Sequence, residues 1–323
     1  MNILITGAGS VMGQSIYKAL SKCDKQDEVR IHFANSNTLA AGRYFSGRTA
    51  PIVKAPIFPL ASEPNYKYFL EKYVDEHQID IVFPGTQHEL TKLAKFRDKT
   101  MKVASIPSSI VEICMDKVRT SAVLSKHDIR VPKTCTFSEF LQSADLEGPI
   151  VVKPNHSSSS RNIFRLNDKQ QASKLDINPH AFLVQEHLLG EEYTCGLYID
   201  RFTKRYTHIV FKRLLSPDGA SLYGEIVNDP DISRYIVNIG DALVKEGLDF
   251  GHVNIQLILT DKGPVLFEIN GRLSSTEASK AYYGFNSCAA FVTNIVMQKP
   301  YSKWQIAQSG KFLRYYEETY FDE

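Results

Sequence analysis

The first third of the chain alternates short apolar runs with helical patterns. Residues 2–6 form an apolar run that ends in the glycine turn 7–10, after which apolar residues recur at helical spacing. Two further apolar runs, 29–34 and 79–83, are separated by a helical stretch from Tyr66 to His77. Strands that alternate with helices predict a parallel α/β sheet.

The glycine turn carries a weak dinucleotide signature. Gly7, Gly9 and Gly13 form a GxGxxxG variant of the fingerprint in a strand-to-helix context. The next predicted strand ends at Asn35-Ser36-Asn37, where a dinucleotide enzyme places an acidic residue for the ribose. A structural turn, a site for another ligand and an NAD-dependent dehydrogenase all remain open at this point.

The composition excludes several classes of protein. A length of 323 residues favours about two domains. The 38 Lys and Arg residues nearly balance the 36 Asp and Glu residues, so no broad basic field attracts nucleic acid or anionic membranes. Five scattered cysteines without a CxxC pair argue against a disulfide framework or a zinc site. Because we also find neither a secretory leader nor an apolar run of about 18 residues, we expect a cytoplasmic protein.

A second domain is predicted to begin near residue 109. Residues 109–124 have apolar side chains at helical spacing and are expected to form a helix that holds Lys117. The apolar run 150–154 contains Lys153 and is followed by a polar tract with four serines, 157–160. Because predicted strands lie on both sides, we interpret this tract as the tip of a hairpin that closes over an anionic ligand, with a flexible linker as the alternative.

The rest of the chain is predicted to be mixed α+β. A buried strand is expected at 182–186, and residues 193–199 and 206–211 have the pattern of an antiparallel hairpin. Residues 231–246 are expected to form an amphipathic helix.

The most informative motif is a short hairpin near the C-terminal third. Period-2 geometry puts Glu268 and Asn270 on one face of their strand. A three-residue loop that pairs Thr260 with Pro264 would place Gln256 opposite Glu268. One carboxylate and two amide oxygens suit magnesium that also binds phosphate oxygens, so a nucleoside triphosphate is implied. The alternative is that these side chains line the solvated face of an edge strand.

Cations are needed near such a site because charge must be neutralised while a phosphoryl group is transferred. The candidates are Lys117, Lys153, Arg213 and Arg272. Lys153 ends a predicted buried strand, which favours a role in ligand binding. Lys117 is equally compatible with an exposed helical charge.

The order of these features resembles the ATP-grasp superfamily, and it is most similar to the ATP-binding half-domains of carbamoyl phosphate synthetase large subunits. The similarity extends from about Ile110 to Gly284 and includes a Ser-rich segment that leads into an Ala-Ser-Lys-Ala helix, 274–285. The matching features are the helical lysine, the strand with Lys-Pro, the polar loop, Gln185-Glu186, residues 190–193, Gln256, and Glu268-x-Asn270-x-Arg272.

The resemblance implies a role for each matching residue. Lys117 and Lys153 would contact ATP phosphates, and the loop over the phosphates would contribute Ser158, Ser160 and Arg161 in place of the usual glycines. The backbone of Glu186, His187 and Leu188 would recognise adenine, and Glu192 would bind the ribose hydroxyls. The metal, Mg²⁺ or Mn²⁺, would be held by Gln256, Glu268 and Asn270. Arg272 would stabilise the acyl-phosphate. Outside the resemblance, Arg213 follows the predicted strand 206–211 and is, with Arg272, our candidate to grip the substrate carboxylate and later its phosphate.

The implied architecture is a Rossmann-like pre-ATP-grasp domain, 1–108, followed by two α+β subdomains of an ATP-grasp fold, 109–185 and 186–323. The implied activity is an ATP-dependent ligase that couples a small-molecule carboxylate to an amine, with a homodimer as a compatible assembly. The alternatives are a catalytically reduced ATP-binding sensor and an NAD-dependent dehydrogenase.

Overall fold

The computed structural model describes residues 1–22, 29–45, 52–97, 99, 101–143, 146–156, 162–217 and 219–320. Three sheets organise these residues. The parallel α/β sheet predicted for the first part of the chain is confirmed, and its strand order is β3-β2-β1-β4. Its strands are β1 (Asn2–Ile5), β2 (Arg30–Asn35), β3 (Ile52–Ile57) and β4 (Ile81–Phe83), and its helices are α1 (Val11–Leu20), α2 (Tyr66–Glu76) and α3 (Gln87–Leu93).

The second sheet is antiparallel and has the order β5-β8-β6-β7. Its strands are β5 (Thr134–Thr136), β6 (Ile150–Pro154), β7 (Phe164–Leu166) and β8 (Phe182–Glu186). Helices α4 (Ser108–Met115) and α5 (Lys117–Lys126) precede it, and α6 (Phe137–Ser143) and α7 (Lys169–Ala172) lie between its strands. Because β6 and β7 pair directly, the arms of the predicted serine hairpin are confirmed, whereas its tip, 157–161, lies outside the described residues.

The third sheet is also antiparallel, in the order β13-β12-β9-β10-β11-β14. Its strands are β9 (Glu191–Ile199), β10 (Tyr206–Leu215), β11 (Ser221–Ile226), β12 (Gly251–Thr260), β13 (Gly263–Asn270) and β14 (Lys311–Leu313). Its helices are α8 (Pro230–Lys245), α9 (Glu277–Tyr282) and α10 (Ser287–Phe291), which continues into a π-helical turn, Val292–Val296. Strand β8 ends and β9 begins close to the expected boundary after residue 185, and the exact domain limits stay a prediction.

The single helix expected over residues 109–124 is wrong, because the chain leaves the helical conformation at Asp116. This residue has φ −103° and ψ 105° and its side chain accepts a hydrogen bond from the amide of Arg119 at 2.9 Å. Asp116 is therefore the N-cap of a new helix. The break puts Lys117 at the first position of α5, where its side chain is only 7% exposed.

The glycine turn is shaped by packing between protein segments. Gly7 has φ +53°, and a Cβ there would lie 2.5 Å from the side chain of Thr86. A Cβ at Gly9 would lie 2.5 Å from Cβ of Ala40. The turn therefore requires glycine without a bound dinucleotide.

The parallel sheet and the third sheet share a hydrophobic core. Ile16 of α1 and Phe291 of α10 are both buried in it. At its rim, both terminal nitrogens of Arg97 donate to the carboxylate of Asp249 at 3.0 Å, and the guanidinium lies 4.3 Å from the ring centre of Phe250. These contacts fix the N-terminal domain against the third sheet.

Two further features concern the cysteines and the helices of the described residues. Among the described residues, Cys114, Cys135, Cys195 and Cys288 are free thiols. Over the same residues, we find no helix whose length and apolar character would let it cross a bilayer.

Candidate active site

Strands β12 and β13 bring Gln256 opposite Glu268, as predicted, but the loop and the register between them differ from the prediction. The loop has two residues, so Thr260 pairs with Gly263 and the expected pairing with Pro264 is wrong. A β-bulge at Phe267 then shifts the register by one residue, so that Gln256 does lie opposite Glu268. The predicted neighbours are confirmed because the bulge compensates for the shorter loop.

Lys153 lies at the centre of the cleft between the two antiparallel sheets. Its side chain is only 7% exposed, and Nζ donates to Oε1 of Gln185 at 2.8 Å and to the carbonyl of Phe267 at 3.3 Å. The bulge therefore supplies a backbone acceptor for the lysine, and Lys153 connects the two sheets.

Burial lowers the pKa of Lys153 from its ordinary value of 10.5 to about 8. The neighbouring ammonium of Lys117 lowers it further, whereas the carboxylates of Glu268 and Glu192 oppose the shift. An ammonium in this position gains more than an exposed one from the approach of an anion.

Lys117 is the second buried cation. Its Nζ donates to the carbonyl of Asn155 at 3.2 Å and lies 3.9 Å from Oε1 of Glu268. The side-chain oxygen of Asn155 also accepts a hydrogen bond from the amide of Val118. The start of α5 is thus bound to the end of β6, and both lysines face the acidic strand β13.

A small cavity lies between these groups, with a volume of about 10 Å³. Its lining includes Lys117, Gln185, Phe267 and Glu268. This is room for about one water molecule. A nucleotide base would therefore enter this space only if the two sheets moved apart.

The oxygen-bearing side chains share one face of the β12–β13 ladder. Gln256 pairs with Glu268, and Asn254 pairs with Asn270, which is 6% exposed. Magnesium is commonly held by one or two carboxylates together with substrate phosphates and water, so a set with one carboxylate and neighbouring amide oxygens fits this metal. Within the described ranges, no three or more His, Cys, Asp or Glu side chains converge on a common point.

Arg213 of β10 bridges two predicted ligand residues. Its Nε donates to Oε1 of Glu192 at 3.0 Å, and Nη2 donates to the same oxygen and, at 2.9 Å, to Oε1 of Gln256. Nη1 lies 3.4 Å from Oγ of Ser221. In this conformation the oxygen of Gln256 accepts a hydrogen bond from the guanidinium. The positive charge of Arg213 would repel a metal ion at the same oxygen, so metal binding there is favoured when Arg213 turns away.

Arg272 connects the ladder to the N-terminal domain. Its Nε donates to Oε1 of Gln87 in α3 at 2.6 Å, and Nη1 donates to the carbonyl of Leu273 at 3.1 Å and contacts the sulfur of Met12 at 3.6 Å. Burial lowers the pKa of this half-buried guanidinium from its ordinary value, and Glu268 and Glu277 oppose the shift. Arg272 therefore lies where α1, α3 and the third sheet meet.

The remaining predicted site residues are those assigned to adenine and to the phosphate loop. Glu186 and His187 use their backbone amides within the protein, bonding the carbonyls of Lys133 and Pro149 at 2.9 and 3.1 Å. Leu188 follows them in the segment between β8 and β9. The predicted phosphate loop residues Ser158, Ser160 and Arg161 lie outside the described residues.

Sequence reasoning missed several polar groups that complete the site. The most important are the side chains of Gln185 and Asn155 and the carbonyl of Phe267. The polar Gln185 within the apolar strand 182–186 was the available signal, because a buried polar side chain in such a strand needs a partner. Residues 86–89 follow the predicted strand 79–83 at its carboxyl end, where ligands bind in such sheets, so the sequence did indicate Gln87 as a possible substrate contact. Its contact with Arg272, 185 positions away, had no local signal.

The two antiparallel sheets thus enclose two buried lysines, which lie beside the carboxylate and amide side chains of the β12–β13 ladder. The sequence pattern of the ATP-grasp domain matches residues 114–276, about half of the chain. The chain therefore belongs to the ATP-grasp family.

Similar proteins include other enzymes of this class. A D-alanine–D-alanine ligase of Fusobacterium nucleatum is 27% identical over 85 residues, which are 26% of this chain and 28% of that enzyme, so the chain spans about a quarter of this relative. The L-amino acid ligase from Bacillus licheniformis superposes with a TM-score of 0.69 at 15% identity, covering 93% of this chain and 74% of the other.

A third similar structure is the biotin carboxylase domain of the Hydrogenobacter thermophilus 2-oxoglutarate carboxylase, in complex with MgADP and bicarbonate. The TM-score is 0.72 at 13% identity, and the superposition covers 96% of this chain and 73% of the other. At these identities the structural similarity establishes the fold alone.

Proposed function

We propose that this chain is an ADP-forming carboxylate–amine ligase. The observation that carries the proposal is the meeting of Lys117 and Lys153 with Glu268 and its neighbouring amides, in a cleft between two sheets. This combination neutralises polyphosphate on one side and offers oxygen ligands to a divalent cation on the other. The names of the D-alanine–D-alanine ligase and the L-amino acid ligase support an amide-forming reaction.

Each part of the nucleotide has candidate contacts. The phosphates would lie against Lys117 and Lys153, and the resemblance adds Ser158, Ser160 and Arg161 as further candidate contacts. Adenine would lie against the backbone between β8 and β9, including residues 186–188, and the ribose against Glu192. The cation would be held by Glu268 and Asn270, with Gln256 joining once Arg213 releases it.

The substrates are small molecules, a carboxylate and an amine. Magnesium, when bound, would neutralise charge on the phosphates. The substrate carboxylate attacks the γ-phosphorus of ATP, ADP leaves, and the amine then displaces phosphate from the acyl-phosphate to give an amide. Arg272 and Arg213 would orient the carboxylate and stabilise the charge that develops on its phosphate. The contacts of Arg272 with Gln87 and Met12 put the proposed acyl-phosphate next to the N-terminal domain, which supports our proposal that the amine enters from that side.

The test is release of ADP from ATP and Mg²⁺ with a panel of acids and amines. We expect repeated turnover to ADP only when a matched acid and amine are both present, because the acid alone would stop at one acyl-phosphate for each enzyme, and we expect Glu268→Ala to abolish ADP release. Glu225→Ala is the matched control, because this exposed carboxylate of the same sheet pairs with Lys311 outside the cleft. ADP release that persists in Glu268→Ala would refute the assignment.

Nucleotide-binding measurements beside the ADP assay separate the alternatives. Tight ATP binding without ADP release for any pair would indicate a catalytically reduced sensor. Stabilisation of the protein by NAD and not by MgATP would indicate a dehydrogenase built on Gly7, Gly9 and Gly13.

A further inference from the structure

Lys280 of α9 is a buried lysine that the proposed reaction does not use. It belongs to the Ala-Ser-Lys-Ala helix, and its side chain is fully buried. The ammonium donates to three oxygens: Oδ1 of Asn254 at 2.8 Å, Oε1 of Glu277 at 2.9 Å and Oγ of Ser274 at 3.0 Å. One lysine thereby connects strand β12 to the segment that follows Arg272.

The charge of Lys280 is balanced locally. Burial would raise the pKa of Glu277, but the charge of Lys280 and its hydrogen bond to the carboxylate are the main reasons that this pKa falls to about 2, so this carboxylate is ionised. Burial lowers the pKa of His252 to about 3, so the imidazole is neutral at physiological pH. A buried ion pair of this kind adds little stability over apolar residues of the same size, so its retention calls for another reason.

The ammonium determines how the amide of Asn254 is oriented. A lysine ammonium only donates hydrogen bonds, so the atom of Asn254 that faces it must be the oxygen. The hydroxyl of Thr194 lies 3.3 Å from the same oxygen. The amide nitrogen of Asn254 is therefore turned away from Lys280.

Asn254 is the direct cross-strand partner of Asn270. Side chains in this relation have Cβ atoms about 4.5–5.5 Å apart and restrict each other's rotamers. The fixed amide of Asn254 therefore borders the side chain of Asn270 on the face that carries Glu268.

We propose that Lys280 is a positioning residue for the cation site: it fixes the amide of Asn254 and, through it, the side chain of Asn270. This inference rests on the proposed function, because Asn270 is a proposed ligand. The competing explanation is that Lys280 does no more than neutralise Glu277.

The experiment removes both charges together, so that no uncompensated charge stays buried. In Lys280→Met/Glu277→Gln, ATP binding is titrated by calorimetry at a series of Mg²⁺ concentrations, and folding is checked by thermal melting. Loss of groups that orient metal ligands typically lowers metal affinity about 10–100-fold. We expect the Mg²⁺ concentration for half-maximal ATP binding to rise at least about tenfold on that scale, with cooperative melting retained.

A second variant keeps the ion pair intact. Asn254→Leu should shift the Mg²⁺ requirement in the same way, and adding it to the double variant should cause no further shift, because both act through one contact. An unchanged Mg²⁺ requirement in either background would overturn the role of Lys280 while leaving the proposed function standing. Absence of Mg²⁺-dependent ATP binding in the unmodified protein would instead overturn both.

Discussion

The unusual pKa of Lys153 predicts that ATP binding weakens as pH rises. Burial holds this pKa at about 8 in the ligand-free protein, compared with an ordinary value of 10.5. The phosphates of ATP would stabilise the charged form and raise the pKa in the complex. Above the ligand-free pKa, binding must therefore be accompanied by uptake of one proton.

The magnitude follows from that pKa. At about pH 7 roughly nine-tenths of Lys153 is protonated and at about pH 9 roughly one-tenth, so the association constant should fall about tenfold between these values. The contribution to folding has the opposite sign. Because the unfolded chain binds the proton more tightly, this group makes the protein more stable as pH rises from about 8 to 10.5.

The assay is isothermal titration calorimetry of MgATP across this pH range, in buffers of different ionisation enthalpy that report proton uptake directly. In Lys153→Met the affinity should be lower at every pH, and the tenfold fall should disappear. A flat profile in the unmodified protein, or the same slope in Lys153→Met, would refute the assignment of this lysine to the phosphates.

Three further predictions concern other parts of the molecule. Arg97→Ala should lower the free energy of unfolding by about 1–3 kcal/mol in urea titrations, because it removes charged hydrogen bonds to Asp249, and an unchanged midpoint would contradict this. In the same assay Gly247→Ala should lower the free energy of unfolding by about 1–3 kcal/mol, through backbone strain alone. Gly190→Ala should lower the free energy of unfolding clearly more, because its Cβ would lie 2.0 Å from a backbone oxygen. Equal losses in the two variants would be inconsistent with this geometry. Gln87→Leu should leave MgATP affinity unchanged and reduce amine-dependent ADP release, since it frees the guanidinium that borders the amine side; normal kinetics would argue against that placement.

The position of Gln256 opposite Glu268 could be predicted from the sequence, whereas the loop and the bulge that produce it could not. Strand alternation and the turn residues predicted this neighbour relation, and it is confirmed. The loop length was wrong by one residue, and the bulge at Phe267 corrected the register. Local sequence did not reveal the bulge, because the acceptor role of Phe267 depends on Lys153 from another sheet.

Local sequence patterns did not predict the contacts between segments that are distant in the sequence. Arg213 was a candidate for catalysis, but its bonds to Glu192 and Gln256 depend on the order of strands in the third sheet. The helix break at Asp116 was readable in principle, since Asp is a preferred N-cap, but the apolar spacing continues across it. The parallel sheet was predictable because each β-α unit carries its own signal.

The central claim is that the β12–β13 ladder binds the cation that accompanies ATP. The most direct test is a crystal structure with Mn²⁺ and a non-hydrolysable ATP analogue, with the metal located by anomalous scattering. We expect one peak about 2.0–2.3 Å from oxygens of Glu268 and Asn270, with the phosphates against Lys117 and Lys153. A nucleotide on the glycine turn, or a metal peak away from this ladder, would contradict the account.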